Sequence, residues 1–229
     1  MTDTVVEVAG ADTRRATRWF AALLLPIGPA AVALLRYFLP YDTADAPATI
    51  VGDMLAQPGR MSFVLWMGFV AILTLVPAVY FVGRLTRRRA PRLTAAALVL
   101  LVPGYLALPW LASSDYYVWA GGKAGLDAGA ITRMYETIHP TVDVAGVVFV
   151  LGHVLGTVLL GVALWRARVV GRWAAVCTIV SQPIHLAAVI VASHTLDLFG
   201  WGLQAVGFAA VGWAILRLRD DDWDLPPLR

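Results

Sequence analysis

The chain has 229 residues, 59% of them hydrophobic and only 14% charged, with a mean hydropathy of +0.73. A soluble domain carries about 25% charged residues, so this deficit excludes an ordinary water-soluble fold and points to a bilayer as the solvent. The net charge of +3 does not imply a nucleic-acid partner, because the arginines stand in short runs between apolar segments, where they set topology.

Residues 1–16 are polar and are expected to form a disordered cytoplasmic tail. Ala44-Asp45-Ala46 looks like a small-x-small cleavage site, but Pro47 follows it and the long apolar run upstream contains Arg36, so no cleavable signal is expected. Six apolar stretches lie at 17–39, 61–83, 93–113, 141–165, 171–193 and 198–217. Each approaches the ~20 residues that cross ~30 Å of hydrocarbon, and in lipid only a helix satisfies its own backbone groups. The expected fold is therefore all-α: a six-helix transmembrane domain over 17–219, with outer loops at 40–60 and 114–140 and an acidic, unfolded cytoplasmic tail over 220–229. With the N-terminus inside, fourteen of the 18 basic residues fall on the inner side, which puts both termini in the cytoplasm. Trp19, Trp110, Trp165, Trp173, Trp201 and Trp213 are expected near the interfaces.

Taken in order, the first helix carries Pro26 and Pro29 and the third Pro103 and Pro109, so both should bend or unwind locally. Arg36 is expected to snorkel to the outer interface. The first outer loop contains a short segment, Ile50 to Gln57, suited to the interface; the second offers a short helix near Ala128 to Ile138. The outer face has eight acids against four basic groups, which favours cations or zwitterions over anions. Its rim gathers Glu136, His139, Asp143, His194 and Asp197. Glu136-x-x-His139 has a metal-ligand spacing, but a di-iron bundle needs two such motifs and only one is present, so no metal is assigned. His139-Pro140 with Asp143 also reads as a helix start.

The fourth helix holds Gly152 and Gly156, which let a neighbouring backbone approach, and His153 beside that stripe. In the fifth, Thr178, Ser181, Gln182 and His185 fall at i, i+3, i+4 and i+7 and share one face, facing Gln204 of the sixth; Pro183 frees the carbonyl of Ile179. This face is either a polar seam between helices or the lining of a ligand site. His153 and His185 lie at depths differing by ~5 Å, which suits axial ligands of one b-type haem as well as packing histidines bonded across the bundle. Cys177 is the single cysteine and excludes an intramolecular disulfide.

The run Leu155-Gly156-Thr157-Val158-Leu159-Leu160-Gly161, with Leu164-Trp165-Arg166-Ala167-Arg168-Val169-Val170-Gly171-Arg172-Trp173 after it, resembles the equivalent turn in a large bacterial family of six-helix membrane proteins known only as a domain of unknown function. The layout is similar too, with its arginine-rich turn after helix two and tight Arg-x-Arg turn after helix four. That resemblance implies a multi-pass protein of the bacterial cytoplasmic membrane and carries no catalytic residue.

The residues themselves point first to a non-enzymatic protein that binds a small lipophilic or weakly basic molecule between helices four, five and six, through Thr178, Ser181, Gln182, His185, His153 and Gln204. Such a protein would have an accessory, sensory or permease-like role. A redox protein with one haem or a quinone at His153 and His185 is the alternative, and an enzyme acting on lipid through Glu136, His139 or Asp143 a third.

Overall fold

The computed structural model describes residues 12–224. Ten helices follow one another: α1 Arg14–Leu24, α2 Ile27–Phe38, α3 Pro47–Ala56, α4 Pro58–Thr86, α5 Pro91–Lys123, α6 Ala128–Glu136, α7 Thr141–Ala167, α8 Arg172–Ile190, α9 His194–Leu216 and α10 Asp220–Trp223. Prolines set several of the starts: Pro47, Pro58 and Pro91 stand at the first positions of α3, α4 and α5, where a missing N–H costs nothing. Six stretches are long and apolar enough to cross a membrane: α1 with α2, then α4, α5, α7, α8 and α9. The protein is a multi-pass membrane protein.

Packed in chain order, the spans form a closed ring: α2 on α4, α4 on α5, α5 on α7, α7 on α8, α8 on α9, and α9 back on α2. Leu101, Tyr105, Leu160, Trp201 and Phe208 fill its middle. Small residues make the close crossings, as lipid-embedded helices require. Gly152 of α7 meets Gly104 of α5 so tightly that a Cβ at 152 would stand 2.6 Å from the carbonyl oxygen of Leu100. Ring closure uses a proline and a glycine together. Pro26 cannot donate to the carbonyl four residues back, that of Ala22, and Gly212 of α9 packs there, where a Cβ would lie 2.6 Å from that oxygen.

On one side of the ring, which we call the cap side, α3 and α6 cover the bundle. Leu39, Tyr41, Ile50, Met54, Val118 and Ile131 form a second apolar cluster there. The third span was expected to end near residue 113, but α5 runs to Lys123, so the first part of the 114–140 loop is helix. Val118 and Gly121 pack against the cap, which gives this extension apolar partners. Pro103 and Pro109 lie within the uninterrupted α5, whereas the first span does break, at Leu25–Pro26.

Both described ends lie together on the opposite, terminal side. The acidic tail expected to stay unfolded begins instead as the helical turn α10, with Trp223 buried. Charge and an aromatic anchor hold it: Arg14 pairs with Asp221, Arg18 with Asp220, and the Trp223 indole donates to Thr17 Oγ1.

Candidate functional site: a buried arginine–aspartate–histidine chain

Asp197 begins the site. Ser193 caps the start of α9, and Asp197 follows one turn later, where an acid suits the helix dipole. Its side chain is 1% exposed, so its charge needs partners. Arg36, near the end of α2, places Nε 2.5 Å from Oδ2, and His185 of α8 places Nδ1 2.5 Å from Oδ1. Arg36 therefore does not snorkel; ring closure of α9 on α2 brings it to a buried carboxylate of opposite charge. A carboxylate acceptor requires the proton on His185 Nδ1, so Nε2 is the acceptor nitrogen of the neutral ring.

The chain continues inward. His153 of α7 stands with its ring centroid 5.4 Å from that of His185. Its Nδ1 donates to the carbonyl of Phe149, 2.6 Å away, and its buried Nε2 has no hydrogen-bond partner among the described residues. Trp201, expected at an interface, instead packs against both imidazoles in the bundle centre, 5.6 Å from His153 and 5.5 Å from His185.

One level deeper, Gln182 donates to Gln204 Oε1 at 2.6 Å, and Gln204 donates to the Tyr105 hydroxyl at 3.2 Å. Gln182 Oε1 is buried without a partner among the described residues. The other two members of the α8 stripe behave differently. Thr178 and Ser181 turn their hydroxyls back to the carbonyls of Ala174 and Thr178 in their own helix. Against them lie Gly207 and Gly200 of α9, where a Cβ would meet Thr178 Oγ1 at 2.5 Å and His185 N at 2.8 Å. Gln182 and His185, the cap-side half of the stripe, join the polar groups, while Thr178 and Ser181 lie in a tight helix–helix seam.

Toward the cap side, Arg36, Asp42, His194 and Asp197 line a recess of about 10 Å³, the space of a single water. His194 Nε2 lies 3.0 Å from Asp42 Oδ1 at its mouth, without the alignment of a hydrogen bond. Nearby, the Tyr41 hydroxyl donates to Asp115 at 2.9 Å. Burial, and then the Asp115 carboxylate beside it, push the Tyr41 phenol well above its ordinary pKa and keep it a donor.

The remaining rim residues do not join this group. Glu136, His139 and Asp143 are exposed, and His139 Nδ1 is used 3.0 Å from Thr141 Oγ1 at the start of α7. Among the described residues no three His, Cys, Asp or Glu side chains gather as a metal site.

Arg36, Tyr105 and Trp201 are members that sequence reasoning missed. Arg36 and Asp197 had a signal: each is a lone charge near the cap-side end of an apolar segment, with opposite sign and matching depth. No family model, curated protein or solved structure matches the chain. The site is therefore read from its own residues.

Proposed function

We propose that this is a multi-pass protein of the bacterial cytoplasmic membrane, with both described ends in the cytoplasm, that responds to protons through Asp197, His185 and His153. Its role is sensory or permease-like, for a small weakly basic molecule that meets the chain at the cap-side recess. The observation that carries this reading is a nearly inaccessible aspartate inside a membrane span, bonded at once to an arginine and a histidine. Ionisable groups are rare within spans, even in a first turn such as that of Asp197, and chains of Asp and His there serve proton movement. A proton accepted at His185 Nε2 lets the proton on Nδ1 pass to Asp197, and Arg36 holds the carboxylate while it is unprotonated. The recess beside Asp42 and His194 supplies the access from one side. The basic arginines of the terminal side support the orientation, since such residues collect in the cytoplasm.

The test is infrared difference spectroscopy of the full chain in lipid across a pH step. A carboxyl protonation band is expected, absent in Asp197→Asn and displaced in His185→Gln. Identical difference spectra for the three proteins would remove the proton reading.

A further inference from the structure

A second concavity, unrelated to the histidine chain, opens on the terminal side. It has about 530 Å³ of free space, within the range of small-molecule sites. Its walls come from two turns distant in sequence. Arg84 lies in the last turn of α4, Arg87, Arg88 and Arg89 form the α4–α5 turn, and Arg168 comes from the α7–α8 turn. Arg89 donates to the carbonyl of Ala167 at 3.0 Å and ties the turns together. Between the guanidiniums the wall is apolar, with Leu85, Val169 and Leu218.

Topology alone explains why arginines occupy these turns, but it does not explain two further features. One is convergence: five arginines from two separate turns line one cavity. The other is the backbone of Arg168. It closes α7 in the left-handed region, φ 53 and ψ 34, where glycine is the usual residue and any other side chain is strained. Strain held in place by the surrounding fold marks positions where the side chain itself is needed. Arg87, Arg88 and Arg168 are exposed, and none forms an ion pair among the described residues.

A counter-charge stands at the rim. Asp222 and Asp224 border the cavity, and Arg84 reaches Asp224 at 2.5 Å while its guanidinium lies over the Trp223 ring, 4.6 Å from the centroid. The acidic α10 segment is thus placed where an external anion would compete with it for arginine.

We infer that this cavity binds a phosphate-bearing anion, held by Arg88 and Arg168, with the Asp222–Asp224 segment as its built-in competitor. Arginine forks match phosphate oxygens, and basic pockets between spans on the cytoplasmic side suit anionic headgroups. The apolar wall would take the first carbons beyond a headgroup; a free polyphosphate shares the charge but not that contact.

The full chain in mild detergent tests this by native mass spectrometry with phosphatidylglycerol, phosphatidylcholine and, separately, inorganic pyrophosphate. Retention of phosphatidylglycerol over phosphatidylcholine is expected, weakened roughly tenfold or more in Arg88→Gln/Arg168→Gln. Asp222→Asn/Asp224→Asn should tighten it. Arg92→Gln/Arg217→Gln removes the same charge from outside the cavity and should leave binding within about twofold. Pyrophosphate binding with the same arginine dependence would assign the site to a free phosphate instead of a lipid. Arg168→Gly separates function from folding: it relieves the left-handed strain, so the melting temperature should rise while binding falls. Equal loss in the Arg92→Gln/Arg217→Gln control, or no binding of either phosphate compound, overturns the inference.

Discussion

Arg36 and Asp197 lie 161 residues apart in sequence, and their side chains meet at 2.5 Å where the cap-side ends of two spans come together. One comes from the second helix and the other from the last span, so the pair forms only when the ring of helices closes. Removing one partner of a buried ion pair leaves the other charge uncompensated, at about 3–5 kcal/mol. Arg36→Gln and Asp197→Asn should each lower thermal stability in detergent by an amount near the lower end, because the Arg36 side chain keeps 15% exposure. The double variant should recover part of the loss. Additive losses would show that the two charges do not act as a pair.

The α5–α7 crossing depends on having no side chain at Gly152. Gly152→Ala would drive its Cβ to 2.6 Å from the Leu100 carbonyl oxygen, a backbone atom that cannot rotate away. Overpacking of this kind costs about 1–3 kcal/mol. Gly146→Ala, on the same helix with nothing within 4 Å of the added carbon, should be neutral or slightly stabilising. Melting temperatures of the two variants read the difference; equal values would contradict the close crossing.

The polar face of α8 was a candidate lining for a hydrated cavity, yet Ser181 and Gln182 are fully buried. With Cys177 replaced by Ala, a cysteine at 181 or 182 should stay unreactive toward a small water-soluble thiol reagent, since thiolate formation needs solvation. A cysteine at Ser193, which lines the small recess, should react. Rapid labelling at 182 would instead point to a ligand cavity between α7, α8 and α9.

Orientation is read by the same chemistry from outside intact cells. Cysteines replacing Lys123 and Thr195, both exposed on the cap side, should label, and one replacing Arg88 should not. Labelling of position 88 would reverse the topology.

The terminal clasp should loosen in acid. Within the two segments that Arg14–Asp221 and Arg18–Asp220 join, the Arg14 side chain hydrogen-bonded to Asp12 holds its carboxyl down at about 2, and Arg219 holds that of Asp222 below its ordinary value, so each local pair shapes one side of the clasp. Both values are lower folded than the unfolded 3.8, so the contribution is present above that value and fades as pH falls through it. The Trp223 contribution to fluorescence, taken as the difference from Trp223→Phe, should therefore change below about pH 4 and stay flat above it. A signal unchanged down to pH 2 would show that the carboxylates do not hold the segment.

Six spans, their order and the short helix near 130 were legible in the sequence, because each depends on local properties. A run of some twenty apolar residues must satisfy its backbone within itself, and a polar loop ends it whatever lies across the bundle. The α8 stripe was legible for the same reason: Thr178, Ser181, Gln182 and His185 share a face by helical period alone. Which of them touch each other, and what, was decided only in three dimensions. Thr178 and Ser181 meet glycines at 207 and 200 and close a seam, whereas Gln182 and His185 meet Gln204 and Asp197 and join the polar chain. Arg36 is the sharpest case. Hydropathy places a lone arginine near a helix end and cannot distinguish snorkelling toward water from pairing inward. The closing contact of α9 on α2 decides it, since a carboxylate within hydrogen-bond reach outweighs the exposed alternative once both groups have left water. Trp201 follows the same logic: tryptophan favours an interface by its own chemistry, but here it packs beside two imidazoles in the bundle centre, a placement that only the tertiary packing decides.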